Sequence, residues 1–403
     1  MWMRRLHRPC FKSKCSIRFR NNESRYYSIT ASSAPVEEVT VPCGSNGTIK
    51  LRIHGMHGAT SATPPPLVLH LSPRSLTGIF KTRDDSASVL ARLMPSVVVE
   101  ILYRADSVRK YPTPIHDVMF GYDWVLKHLV PSRSFLAPTF NDHSPARIGV
   151  YGEGSGAGLA AMLALTECRT KGHRIAAAAL HDPLLNWVMP EEVTQDLDEA
   201  AMRRDSRRRP AFVPSNDTDT SILRAIVSAR SELFKTPGDW FDPFASPLLF
   251  FRSSNAAIPT SDPNAPVDEF AELSAMNQHD FMRQQLKLSA MSNFAGHDTG
   301  IDVEDDPVGS LRRSARRYPR IDSGLTLPNF RLTIGPDGVW RAQAEEFTKY
   351  VWRSMIRTDE LKKQDMAAAE LHAAERVFHE SYDGEIQAEE CLADTAEWLR
   401  DVL

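Results

Sequence analysis

The run Arg147-Ile-Gly-Val-Tyr-Gly-Glu-Gly-Ser-Gly-Ala-Gly-Leu-Ala160 constrains this chain more than any other segment. Apolar and aromatic residues lead into alternating glycines, and a helix-prone apolar stretch follows. The pattern predicts a buried strand, Arg147–Tyr151, joined through a turn too tight for large side chains to a helix over Leu159–Glu167. Two phosphate-binding readings fail. Gly152-x-Gly154-x-Gly156-x-Gly158 lacks the dinucleotide spacing, and no opening strand–helix–strand unit with a downstream ribose-binding acid accompanies it. No Gly-Lys-Ser/Thr follows, so the turn is not a P-loop.

The rest of the chain sets this turn in an alternating pattern. Strands are expected at Val39–Pro42 and Thr48–Ile53, around Asn46-Gly47, and at Leu67–Leu71 and Ser96–Tyr103. Others are expected at Ile175–Leu180, Phe330–Ile334 and Arg376–His379. Helices are expected at Ser86–Leu93, Ile115–Leu129, Trp340–Ile356, 358–373 and Ile386–Val402. Strands alternating with helices predict an α/β fold, a mostly parallel sheet flanked by helices on both faces. Residues 190–232 and 253–323 break the pattern. They are polar and irregular, with basic Arg207-Arg208-Arg209 and an acidic run at Asp302–Asp306. They read as insertions, cap-like or disordered.

Composition excludes several function classes. A net charge of −3 over 403 residues gives no reason to expect nucleic-acid binding. The five cysteines are scattered and odd in number, which argues against a disulfide framework and for a reducing compartment. No His, Cys or carboxylate cluster has metal-ligand spacing, and no cofactor is expected. No apolar run approaches the roughly 18–20 residues of a membrane span. Residues 1–28 are rich in Arg, Lys and Ser, with Glu23 the only acid before Glu37. That is transit-peptide composition, and Arg25-Tyr26-Tyr27-Ser28 resembles a mitochondrial processing site. A disordered basic tail is the alternative. The expected location is the mitochondrion, with a globular domain over 39–403.

A strand–turn–helix of this kind is also the setting of the Gly-x-Ser-x-Gly nucleophile elbow. Ordered segments elsewhere resemble the hormone-sensitive-lipase-like branch of the α/β-hydrolases. They are Tyr103-Arg104, Tyr111-Pro112-x-Pro114, His116-Asp117-Val118 and Gly121-Tyr122-Asp123-Trp124-Val125. Asp242-Pro243-x-Ala245-Ser246-Pro247, Leu327-Pro328 and Ile334-Gly335-x-Asp337 continue the series. The chain also looks like fungal proteins in which that branch's catalytic motifs are eroded. The resemblance implies an α/β-hydrolase domain, esterase- or lipase-like activity, and a small ester or lipid as ligand.

At the chemistry the chain departs from the branch. The active pattern reads Gly-Asp-Ser-Ala-Gly-Gly-x-Leu-Ala. Anchored on Gly152-Glu153 and Leu159-Ala160, its nucleophile position is Gly154, and Gly156 is the small residue that closes the turn. Ser155 falls one residue late. The branch's His-Gly-Gly-Gly oxyanion loop is replaced by Ser72-Pro73-Arg74-Ser75, and proline has no N–H to donate. Asp337 stands where the triad acid belongs, though Gly-Pro-Asp-Gly is equally good turn chemistry. Asp383 takes the position of the branch's histidine, and His379 lies four residues earlier. Two decoys are discounted. His116 and Asp117 point to different helix faces, and His70 reads as a satisfied core histidine. Three functions remain open: a catalytically silent binder of a small molecule or protein partner, a hydrolase with a rearranged Ser155, Asp337 and His379 site, or an assembly role for the insertions.

Overall fold

The computed structural model describes residues 36–55, 66–73, 86–94, 96–130, 147–188, 217–252, 254, 316–320, 323–335, 338–359, 365–382 and 385–403. The basic segment 1–28 lies outside these residues, as do Asp337, Asp383, Arg74, Ser75 and most of the two insertions.

Eight strands form one sheet: β1 (Glu37–Pro42), β2 (Thr48–His54), β3 (Leu67–Leu71), β4 (Val97–Leu102), β5 (Arg147–Glu153), β6 (Arg174–His181), β7 (Asn329–Ile334) and β8 (Val377–Ser381). Their order is β1-β2-β4-β3-β5-β6-β7-β8. β1–β2 and β2–β4 are antiparallel, and every other pair is parallel. Among the described residues the α-helices are α1 (Ser86–Leu93), α2 (Thr113–His128), α3 (Gly154–Thr166), α4 (Asp217–Leu233), α5 (Gly338–Thr358), α6 (Met366–Arg376) and α7 (Glu385–Val402).

Both sheet faces are covered, which is why the central strands read as continuous apolar runs. All of Leu67–Leu71 is buried. β5 and β6 are buried along almost their whole length. Alternation sorts their side chains. Val68, Tyr151, Ala177 and Ala179 pack toward α1 and α7 with Leu90, Leu392 and Leu399. Leu69, Val150, Ala178 and Leu180 pack into the larger core with Val118, Leu163 and Phe347 of α2, α3 and α5. The small residues of β6 bring helices close on both sides.

The structure corrects the sequence reading in three places. The helix after the glycine turn starts at Gly154, not Leu159. Part of the 190–232 insertion is not irregular: 217–233 is helix α4, with Leu223, Ile226, Ala229 and Leu233 buried on one face. His70 is in the core, but neither ring nitrogen has a hydrogen-bond partner, so it is not a satisfied histidine. The decoy pair separates as expected. Asp117 is fully buried and accepts from Arg104 Nε at 2.8 Å and Nη2 at 2.6 Å, while His116 is exposed.

Candidate functional site

β5 is in the middle of the sheet, and its carboxyl end is where a parallel α/β sheet places ligands and chemistry. The strand ends at Glu153 in extended conformation, and Gly154 follows at φ +55°. That left-handed residue at the strand-to-helix junction is the geometric mark of a nucleophile elbow. Here that residue carries no side chain. Close approach explains the flanking glycines. A Cβ at Gly156 would lie 2.2 Å from the Leu71 carbonyl oxygen, and one at Gly152 would lie 2.6 Å from the Gly156 carbonyl oxygen.

Ser155, the next residue, is the second residue of α3. Its Oγ is buried and makes no hydrogen bond. It lines a largely apolar cavity of about 50 Å³, walled also by Tyr111, Ile115, Trp187, Leu233 and Phe234. Among the described residues no base is hydrogen-bonded to this hydroxyl.

His379 lies within β8, opposite Leu332 of β7. β8 is three strands from β5, roughly 14 Å across the sheet at ordinary strand spacing. The imidazole feels Glu345 and Arg341 of α5 and its neighbour Glu380, and desolvation, the largest cause, pushes its pKa down. The structure therefore does not bring His379 to Ser155.

The oxyanion stretch is described as far as Pro73. The Ser72 carbonyl oxygen accepts a 2.8 Å bond from the Tyr103 hydroxyl. Both Ser72 and Pro73 are buried.

A polar cluster that sequence reasoning did not single out occupies the carboxyl ends of β6, β7 and β8. The Tyr382 hydroxyl donates to Asp182 Oδ2 at 2.7 Å and lies 3.0 Å from His181 Nε2. His181 Nδ1 is 2.9 Å from Thr333 Oγ1, and the Gly335 amide donates to Asp182 Oδ1 at 2.6 Å. The His181 and Tyr382 rings stack with centroids 5.1 Å apart. Asp182 is held at φ +44°, alone among the described non-glycine residues in having positive φ. His181 falls on the strand alternation of Ala177 and Ala179, facing α7, whereas Ser155 faces the cavity on the α2 side. Its imidazole is bonded within the cluster and makes no bond to Ser155.

On the α7 side, Glu153 accepts from the Tyr151 hydroxyl at 2.7 Å, and Tyr151 stacks on His70 at 5.5 Å. Desolvation holds the His70 imidazole below its ordinary pKa, partly opposed by the charges of Glu153 and Glu100.

Comparison with known proteins bears on the fold. Residues 76–255 match a protein family described as alpha/beta hydrolase fold. No curated protein matches the chain. Among solved structures, the chain is similar to an esterase from Pyrobaculum calidifontis at 14% identity, covering 92% of this chain and 87% of that one with a TM-score of 0.50. Carboxyl esterase 2 from the mycorrhizal fungus Tuber melanosporum aligns at 12% identity over 93% of this chain and 89% of that one, with a TM-score of 0.49. At such identities the likeness concerns the fold alone. The family match over residues 76–255 and the eight-stranded, mostly parallel sheet agree that the chain has the α/β-hydrolase fold.

Proposed function

We propose that this chain is a catalytically silent α/β-hydrolase relative that binds a small, largely apolar molecule beside its elbow. One observation carries the reading. The elbow residue, Gly154, has no side chain, and the adjacent Ser155 Oγ is buried in an apolar cavity without a hydrogen-bond partner. A serine hydroxyl is a weak nucleophile until a bonded base takes its proton. Loss of the serine or histidine of a triad removes roughly 10⁶ in rate. The retained cavity supports binding without turnover, and the ligand class implied by the resemblance is a small ester or lipid.

The alternative is an ester hydrolase using Ser155, Asp337 and His379. A serine-directed fluorophosphonate probe and a short-chain nitrophenyl ester assay on the purified chain decide between them. Silence requires no labelling and no turnover above background. Labelling or turnover that disappears in Ser155→Ala overturns it.

We further propose that the protein acts in the mitochondrion, on the acid-poor basic composition of residues 1–28. No helix among the described residues is long and apolar enough to cross a membrane.

A further inference from the structure

A second cavity, of about 370 Å³, lies at the amino ends of β5, β6 and β7. This is the edge of the sheet opposite Gly154, and the volume is in the range of small-molecule sites. Three arginines line it. Arg147 opens β5 and Arg174 opens β6, and the two are register partners on neighbouring parallel strands. Like charges set opposite each other across a strand pair repel. No carboxylate among the described residues pairs with either of them.

Arg376, the last residue of α6, completes the group. Its Nε donates to Asn329 Oδ1 at 2.9 Å, and its Nη2 donates to the Leu327 carbonyl. Those bonds fix the guanidinium at the start of β7 and leave Nη1 unused by the described residues. Burial pushes the Arg376 pKa down, with Asp359 opposing the shift and the positive charge of Arg174 adding to it. The wall that carries these donors is fixed as well. The Thr326 amide donates to the Cys168 carbonyl at 2.7 Å, and the Thr170 amide donates to the Gly324 carbonyl at 2.8 Å.

The charge on the lining is unbalanced. Against three guanidiniums stands one carboxylate, Glu375, which leaves a surplus of two positive charges. His372 also lines the cavity, but its Nδ1 is 2.6 Å from Asp359 Oδ2, so that imidazole already has its partner. A phosphate monoester carries nearly two negative charges at neutral pH and three acceptor oxygens. Guanidinium forks match those oxygens. The remaining walls bear on the body of the ligand. Thr326 and Asn329 offer a hydroxyl and an amide. No Phe, Tyr or Trp lines the cavity among the described residues, so no ring is there to stack a nucleobase.

We infer that Arg147, Arg174 and Arg376 bind the phosphate of a small phosphorylated sugar or polyol whose hydroxyls lie against Thr326 and Asn329. The phosphate supplies the counter-charge that Arg147 and Arg174 lack, and the cavity has room for more than an isolated oxyanion. This site goes beyond the binding function proposed at the elbow. The two are at opposite ends of β5, roughly 20 Å apart at ordinary strand rise.

Titration calorimetry of the full chain with ribose 5-phosphate, ribose and inorganic phosphate, at one ionic strength, tests the assignment. Ribose 5-phosphate is expected to bind about tenfold or more tightly than inorganic phosphate, and ribose to show no binding. Arg147→Gln and Arg174→Gln are each expected to weaken ribose 5-phosphate about tenfold. Neither should lower Tm, because each relieves a like-charge contact and breaks no bond among the described residues. Arg92→Gln, at an exposed position on α1, should leave the affinity unchanged. Affinity for ribose 5-phosphate no better than for inorganic phosphate would overturn the inference. So would an affinity that neither cavity variant alters, or one that Arg92→Gln weakens as much as they do. Absence of ribose 5-phosphate binding would overturn it outright. None of these results bears on the elbow cavity, which the probe and ester assays address separately.

Discussion

At Gly154 the backbone itself carries a prediction. Left-handed φ costs an ordinary side chain on the order of 1 kcal/mol, so Gly154→Ser should lower stability by about that amount in urea unfolding. It should not restore ester turnover, because no described base stands behind the new hydroxyl. Gly156→Ala should cost more, about 3 kcal/mol, since its Cβ would be driven into the Leu71 carbonyl. If Gly154→Ser proves the more damaging of the two, the steric account of this turn is wrong. His70 makes a pH prediction with a definite sign. Its folded pKa is depressed, so as pH falls below the ordinary imidazole range, about 6.5, the unfolded chain takes up a proton that the folded chain resists. Stability contributed by neutral His70 is therefore lost on acidification. Tm should fall less between about pH 7.5 and pH 5.5 in His70→Leu than in the unaltered chain.

Among the secondary-structure elements, the polar cluster ties the loop after β6 to β7 and to the end of β8. Tyr382→Phe deletes one hydroxyl that serves both Asp182 and His181, and should cost about 1–2 kcal/mol. Hydrogen exchange should show the loss first in β8, which has a strand partner on one side only. Unchanged protection there would mean that the cluster does not tether the strand. This scale also shows what the sequence could and could not reveal. β5 and its glycine turn were legible because burial on both faces demands apolar residues and tight approach demands glycine. Helix α4 was missed because its polar beginning, Asp217-Thr218-Asp219-Thr220, continues the charged composition before it. Its signal was the spacing of Leu223, Ile226, Ala229 and Leu233. The cluster of His181, Asp182 and Tyr382 had no local signal at all. Its members are about half the chain apart, and only the strand order brings them together. The same applies to Arg147, Arg174 and Arg376, which are far apart in sequence and meet at one cavity.

For the molecule as a whole, residues 1–28 and the hydrolase-fold domain should be separable in function. A chain lacking residues 1–28 should keep the Tm of the full chain and should no longer be imported by isolated mitochondria. Import without that segment would remove the proposed location. The eight-stranded sheet also ends in charge at both of its rims. β1 opens with Glu37 and Glu38, and Glu38 pairs with Lys50 at 3.3 Å and Arg52 at 3.1 Å. β8 presents Glu380 and Ser381 to solvent beside the part-exposed Phe378, and Glu380 pairs with Arg331 at 2.6 Å. A second molecule that tried to extend the sheet by docking a strand along either margin would have to strip water from these ions, so charge at the rims deters fibre-like growth while the interior remains free to be wholly apolar.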